Sequence, residues 1–96
     1  MEQQLRRFRE LVRKIKAYAD AEAVLYWDLR TGAPRKGVDA RAETIGLLAS
    51  ERFKLTVSDE MGALLSELEQ PSARERLGDL DRRLVKEVRK EYDRSV

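Results

Sequence analysis

The stretch LYWDLRTGAPRKG, residues 25–37, decides how the chain folds, because it holds the first strong interruption of a helical sequence. Thr31 and Gly32 are typical of a helix end, and Pro34 cannot continue a helix. Upstream of this point, apolar residues recur at spacings of three and four, which predicts one long helix from Glu2 to Arg30. The repeating residues are Leu5, Phe8, Leu11, Val12, Ile15, Tyr18 and Ala19.

A second helix is expected after a short loop that includes Arg35, Lys36 and Gly37. Asp39 is placed to cap this helix, which should run from Ala40 to Lys54. Apolar residues at helical spacing predict the face that it turns inward. Those residues are Ile45, Leu48, Ala49 and Phe53.

Two more helices follow. Ser58 precedes two acidic residues and predicts a short helix that ends near Gln70 and buries Met61, Leu64, Leu65 and Leu68. The capping-box pattern from Ser72 to Glu75 predicts a last, longer helix with no stop signal before Val96. Its apolar face holds Leu77, Leu80, Leu84, Val88 and Tyr92. We therefore expect an all-α, bundle-like single unit over residues 1–96, with a long first helix, two short ones and a long last one.

Residues 24–29 present apolar side chains on nearly every side of the first helix, with Asp28 the exception. A helix that is apolar all round is usually buried all round, and three further helices are too few to surround it. We therefore expect Trp27 to be a buried anchor and Asp28 to fix the turn or to pair with an arginine. We also expect another body, either a second copy or a missing downstream part, to cover this segment.

Catalytic and metal-binding residues are not expected in this chain. The 96 residues include no cysteine and no histidine, which removes thiol chemistry, the commonest metal ligand and the usual general base near neutral pH. Asp39 and Glu43 lie four apart on a helical face, but capping and exposure to solvent account for both. No apolar run approaches the length of a membrane span, so we expect no membrane contact and a cytoplasmic protein.

The charges favour ion pairs within helices over a surface that binds nucleic acid. The net charge is +2, and residues 1–16 hold six basic and two acidic side chains. Those basic residues wind around the first helix, so few can contact one phosphate backbone together. The spacings Glu10–Lys14, Asp79–Arg83 and Arg83–Glu87 predict i,i+4 pairs. We expect no specific nucleic-acid partner.

The residues around the interruption resemble the beginning of the carboxypeptidase Taq family of zinc metallocarboxypeptidases. The resemblance is carried by Trp27, Asp28, Thr31 and Pro34, and by an Arg41-Ala42-Glu43 element that opens the segment ETIGLLASERF. It implies that these helices belong to a larger all-α, cleft-bearing peptidase, usually dimeric, that removes C-terminal residues from peptides. Trp27, Asp28, Thr31, Gly32 and Pro34 then form a structural corner, and Arg41 and Glu43 mark a family-type helix start.

The resemblance does not supply an active site. The family binds zinc through a His-Glu-x-x-His helix and a later Glu, and this chain has no histidine. The family's Asp-x-Arg-x-Thr motif is also absent from this chain, because Glu43 stands where the threonine is expected. The chain is therefore predicted to be an N-terminal region that is inactive alone, without a cofactor of its own. The alternative is a stand-alone helical module for dimerisation or protein interaction, without catalysis.

Overall fold

The computed structural model describes residues 1–32 and 35–96, with the backbone alone at 35 and 36, and its described residues form five helices and no strand. The helices are α1 (Glu2–Thr31), α2 (Arg35–Thr56), α3 (Asp59–Leu68), α4 (Pro71–Arg76) and α5 (Asp79–Ser95). The all-α prediction is confirmed, although the expected last helix is divided into α4 and α5. Pro34 lies outside the described residues. None of the described helices is long and apolar enough to span a membrane.

The core lies where the first half of α1 meets α3 and α5. Phe8 and Leu11 of α1 are almost fully buried, and the four predicted apolar residues of α3 are all buried. Leu5, Val12 and Ile15 of α1 pack against this core from its edge. The predicted apolar stripe of α1 is thus confirmed over its first half. The buried core consists of Phe8, Leu11, Met61, Leu64, Leu65, Leu68, Leu77 and Val85.

The start of α3 follows the predicted cap. Ser58 has extended backbone angles, and its Oγ accepts a hydrogen bond from the Met61 backbone N–H at 3.1 Å. This bond satisfies one of the N–H groups that have no partner within the helix. Asp59 and Glu60 occupy the first turn, where negative charge is favoured.

The predicted start of α2 is wrong. The helix begins at Arg35, so the expected loop at Arg35, Lys36 and Gly37 is helical, and Asp39 lies inside the helix. A tertiary contact explains the extension, because Arg41 pairs with Asp28 of α1 and thereby joins the early turns of α2 to α1. Such contacts commonly override local preferences. On the predicted inner face, Ile45 is buried but Phe53 is 51% exposed.

The capping box at Ser72 is also wrong. Pro71 takes the first helical position of α4, where its fixed φ is favoured, so Gln70 becomes the cap and Ser72 lies within the helix. The helix ends at Arg76, because the Arg82 side chain donates to the carbonyl oxygens of Arg74 and Glu75. These bonds satisfy carbonyl groups that would otherwise lack partners at the helix end.

A new helix, α5, therefore starts after Gly78, and its buried face differs from the predicted one. Leu80 was expected to be buried and is 80% exposed, whereas Val85, which the predicted stripe left out, is buried. Leu84, Val88 and Tyr92 pack against the core as expected. Tyr92 also approaches α3 closely, because a methyl group at Gly62 would lie 2.6 Å from its hydroxyl oxygen.

Ion pairs between arginines and carboxylates join the helices around the core. Arg7 donates to both carboxylate oxygens of Glu60 at 2.6 and 2.9 Å, which joins α1 to α3. Arg9 pairs with Asp81, which joins α1 to α5. Arg89 of α5 pairs with Glu69, which follows α3. Pairing in this forked geometry is the strongest form of the arginine–carboxylate interaction.

The predicted pairs within helices are confirmed in part. Glu10 and Lys14 form the expected i,i+4 pair at 3.7 Å. The partner of Asp79 is Arg82 at 3.8 Å, and the partner of Glu87 is Lys90 at 3.6 Å. Both observed pairs use i,i+3 spacing, and neither involves Arg83.

The molecule is elongated, with extents of 55 × 23 × 21 Å and a radius of gyration of 16.4 Å. A compact chain of this length would have a radius of gyration of about 12.5 Å. The elongation comes from α1 and α2, which continue as a two-helix hairpin past the end of α5. Ser95, the last residue of α5, lines a groove with Ala19 and Arg52. We call the hairpin beyond this level, residues 22–31 of α1 and 37–52 of α2, the arm.

The arm leaves the expected Trp27 anchor exposed. Trp27 is 71% exposed and Val24 is 68% exposed. The expectation that Trp27 is buried is therefore wrong for this chain, because only α2 lies beside this part of α1. The accompanying expectation that the four-helix unit cannot surround residues 24–29 agrees with these exposures.

We expect Leu65→Ala to lower the free energy of unfolding by about 2–5 kcal/mol, because Leu65 is fully buried in the core. Leu80→Ala is the matched control, since it removes the same atoms from an exposed leucine and should change stability by less than about 0.5 kcal/mol. Urea unfolding followed by circular dichroism measures both. Equal losses in the two variants would contradict the observed register of α5.

Stability should also depend on pH through Glu60. The hydrogen bond from Arg7 holds the pKa of Glu60 below its ordinary value of 4.5. A carboxyl group with a lowered pKa stabilises the fold above its unfolded pKa, and this contribution is lost as the pH falls through the folded value. Glu60→Gln should therefore destabilise the chain at pH 7 and make progressively less difference below about pH 4.5.

Urea midpoints measured from pH 7 to pH 3 test this dependence. Glu67→Gln is the control, because Glu67 is an exposed carboxylate on the same helix. A constant difference between wild type and Glu60→Gln across this range would show that the Arg7–Glu60 pair does not carry the effect.

Candidate functional site

The predicted structural corner lies at the far end of the arm, where an ion pair joins its two helices. Asp28 of α1 pairs with the Arg41 guanidinium of α2, and both side chains are partly exposed. The guanidinium also lies over Gly37, where an added methyl group would collide with it. The structure thus brings together Asp28 and Arg41, which were predicted as members of two separate motifs. The expectation that Asp28 pairs with an arginine is confirmed.

The end of α1 follows the predicted pattern. Thr31 Oγ1 donates a hydrogen bond to the Trp27 carbonyl oxygen at 2.7 Å. The Gly32 N–H donates to the Asp28 carbonyl oxygen, and Gly32 has a φ of 141°, a value that side-chain-bearing residues rarely adopt. Thr31 and Gly32 therefore end the helix through local hydrogen bonds. The remaining predicted member of the corner, Pro34, lies outside the described residues.

The other carboxylates singled out in the sequence do not form a catalytic arrangement with these residues. Asp28 is half-exposed and paired with Arg41, so the apolar pocket that a general acid needs does not surround it. Asp39 and Glu43 are both exposed on α2. Glu43, predicted at a helix start, lies in the body of α2.

A second ion pair lies at the base of the arm, and the sequence analysis did not identify it. Glu22 is only 7% exposed, and it accepts hydrogen bonds from Arg52 Nε at 2.7 Å and Arg52 Nη2 at 3.1 Å. These bonds hold the pKa of Arg52 above its ordinary value. Thr56 is also buried and donates to the Arg52 carbonyl oxygen at 2.9 Å. The two ion pairs, Glu22–Arg52 and Asp28–Arg41, show that α1 and α2 run antiparallel.

One signal in the sequence could have located this pair. Glu22 lies at helical spacing from Tyr18 and Leu25, so it is a charged residue within an apolar stripe. A buried carboxylate requires a partner, and Arg52 is the arginine within the predicted second helix that lies closest to its inner apolar residues. The sequence alone does not set the register between the two helices, so it does not show whether Arg41 or Arg52 pairs with Glu22.

A groove of about 290 Å³ adjoins the Glu22–Arg52 pair between α1, α2 and α5. Its apolar wall includes Val12, Ile15, Phe53 and Val88, and Glu87 and Glu91 lie along it. The groove contains carboxylates and the hydroxyl groups of Thr56 and Ser95, but the sequence has no cysteine and no histidine, so it offers neither a thiol nucleophile nor the usual base that activates a hydroxyl group. Its chemistry fits the packing of an apolar side chain.

The residues of this chain do not fit a zinc site. Zinc in proteins is held mainly by His nitrogen and Cys sulfur, with carboxylates as additional ligands. The sequence contains neither His nor Cys, and no three carboxylates converge within the described ranges 1–32 and 35–96. No step of a metal-dependent reaction is therefore assigned to residues of this chain.

Removing the buried carboxylate should cost more than removing the exposed one. We expect Glu22→Ala to lower the free energy of unfolding by about 1–3 kcal/mol, because it leaves Arg52 without its hydrogen-bond acceptors. Asp28→Ala is the matched control and should cost about 0–1 kcal/mol, since both side chains of its pair reach water. Thermal melts at equal protein concentration measure both changes. A larger loss in Asp28→Ala would contradict the observed difference in burial.

Comparison with known proteins gives this arrangement of helices a family. Residues 7–96 match the family described as carboxypeptidase Taq (M32) metallopeptidase. The chain is 38% identical over 89 residues to Carboxypeptidase 1 of Bacillus subtilis (strain 168), a match that covers 90% of this chain and 17% of the relative. A crystal structure described as BsuCP superposes with a TM-score of 0.90 at 33% identity, over 97% of this chain and 18% of the solved one.

These relatives are thus more than five times as long as the part of them that the chain matches. The match covers the residues of the arm as well as those of the core, since it extends over nearly all of the described helices. The resemblance inferred from the residues around Trp27 and Arg41 is confirmed. The chain belongs to the carboxypeptidase Taq (M32) metallopeptidase family.

Proposed function

We propose that this chain is the N-terminal helical region of a zinc-dependent carboxypeptidase that removes C-terminal residues from peptides. The observation that carries the proposal is the match of 97% of the chain to 18% of a solved chain at a TM-score of 0.90. The family name and the name of the Bacillus subtilis relative both specify carboxypeptidases. The role of these helices is then to form part of the scaffold around an active site, without contributing a metal ligand.

Inactivity of the isolated chain is part of this proposal. A metallopeptidase needs a metal that activates water or polarises the peptide carbonyl, and zinc is the metal proposed for the whole enzyme. The absence of His and Cys from the sequence supports the assignment of its ligands to other parts of the longer family chains. The cytoplasmic location expected from the sequence stays a prediction.

A second candidate is a stand-alone module that dimerises or binds another protein without catalysis. The exposure of Trp27 and Val24 favours it, because soluble monomers rarely leave large apolar side chains grouped on one surface. Under this alternative the chain acts through its surface alone, and no downstream catalytic part is required. The two candidates differ in whether the helices can support hydrolysis when they are joined to the rest of a family member.

A chimera separates the two candidates. This chain replaces the matched 89 residues of Bacillus subtilis Carboxypeptidase 1, to which it is 38% identical. We expect the chimera to hydrolyse N-blocked peptides from their C-terminus, with loss of activity after chelation and recovery with zinc. The isolated chain should contain no stoichiometric zinc after dialysis and should hydrolyse nothing, because it lacks His and Cys.

The unmodified relative serves as the positive control, and the relative without its matched segment serves as the negative control. A well-folded but inactive chimera would contradict the proposed role in the enzyme. One tightly bound zinc per isolated chain, together with chelator-sensitive hydrolysis, would contradict the proposed inactivity.

A further inference from the structure

The exposed apolar side chains are concentrated on the arm and at its base. Among the described residues, six large hydrophobic side chains that are more than a third exposed lie between positions 24 and 53, on α1 and α2. The six are Val24, Tyr26, Trp27, Val38, Leu47 and Phe53. The core half of the molecule, by contrast, has its predicted α3 face entirely buried. The arm therefore carries the apolar side chains that are typical of buried helices, but these side chains are exposed to solvent.

The exposed side chains of the arm point in several directions. Val24 and Trp27 are three residues apart and share one face of α1, while Tyr26 lies about 100° from Trp27 around the helix. On α2, Arg41 and Arg52 face α1 through their ion pairs. Ile45 lies on that same inner face, so Leu47, about 200° further round, faces away from α1. Apolar surface is thus present on at least three sides of the arm.

This distribution favours an enclosing partner over a second copy. A two-fold dimer buries one self-complementary patch on each copy, so it would cover one side of the arm and leave the others in water. A body made of several helices can cover more than one of them. The family relatives supply such a body, because more than four-fifths of their length lies outside the match to this chain.

The carboxylates on and beside the α1 side of the arm are compatible with burial in such a body. A charged side chain can enter an apolar interior only if it is paired. Glu22 is paired with Arg52, Asp28 with Arg41, and Asp20, beside the Val24–Trp27 face, with Lys16. The α1 side of the arm can therefore be enclosed without leaving these carboxylates unpaired, whereas the outer side of α2, where the exposed Asp39 and Glu43 lie near Leu47, can stay in water.

We propose that the arm is the docking surface of this chain and that it inserts between helices of the remaining part of a carboxypeptidase Taq family chain, with Trp27 as its central anchor. The inference rests on the proposed function, because it takes the catalytic part of the family as the occupant. Trp27 fits the role of anchor since it is the only tryptophan and is 71% exposed. Large, buried aromatic side chains typically contribute most to such contacts.

The test compares the same substitution in two contexts. In the isolated chain, Trp27→Ala should shift the thermal midpoint by less than about 2 °C, because the indole is already in water. In the chimera with Carboxypeptidase 1, the same substitution should lower the midpoint by about 3–5 °C, because it would leave a cavity in the enclosed contact. Trp27→Phe should recover most of the chimera's loss, since it keeps a large apolar ring.

Lys54→Ala is the control, because it shortens a long exposed side chain of α2 outside the arm and should change neither midpoint. The thermal midpoint is independent of hydrolysis, so an inactive chimera that still shows the contrast would contradict the proposed function and support the docking surface. A chimera that is insensitive to Trp27→Ala, or that fails to fold while the relative folds, would overturn the inference.

Fluorescence of the single tryptophan also tests whether a second copy of this chain covers the arm. Emission and iodide quenching of Trp27 in the isolated chain should report a solvated indole that does not change between about 1 and 100 µM, the range in which specific but modest self-association would become visible. A blue shift on concentration, with a doubled mass in light scattering that Trp27→Ala restores to a monomer, would identify a second copy as the occupant. That result would overturn the inference.

Discussion

The length of α1 relative to the helices that cover it determines the rest of the structure. Its 30 residues span about 45 Å, and α3 and α5 pack only against its first half. Phe8 and Leu11 therefore enter a closed core, while Val24 and Trp27 remain in water. Only α2 lies beside the second half of α1, and each of these two helices can bury only the side that faces the other. The exposed arm follows from this mismatch in length.

Local signals predicted well wherever the residues they concern also lie in the core. The Ser58 cap and the apolar face of α3 were both correct, because the cap starts the helix in the register that buries Leu64 and Leu65. Asp39 and Ser72 are also residue types that favour the cap position, but both lie inside helices in the structure. At Asp39 the contact between Asp28 and Arg41 extends the helix, and at Ser72 the preceding proline occupies the first helical position. Neighbouring interactions, not intrinsic preference, decided these cases.

The residues of the candidate site were predicted individually but not in their arrangement. Asp28 and Arg41 were each identified, yet only the structure places them on facing helices. Glu22 and Arg52 were missed, because the register of two antiparallel helices depends on packing along their whole length. Trp27 was predicted to be buried, because the apolar pattern of residues 24–29 indicates that this segment needs to be covered. The pattern does not indicate what covers it. The apolar pattern therefore gave a wrong burial for Trp27, whereas the motif residues around Trp27 and Arg41 gave the correct family.

The ion pairs of the arm explain how its two helices are held together while their apolar sides are exposed. The ion pair at Glu22 is shielded and bidentate, so it fixes the register of α2 on α1 at the level where the core ends. Beyond it, Asp28 and Arg41 hold the far end in an exposed pair, which contributes little free energy by itself. The hairpin can thus form before its apolar sides are covered. Under the proposed docking, its two helices present a preformed surface, which lowers the entropy lost when a larger body packs around them.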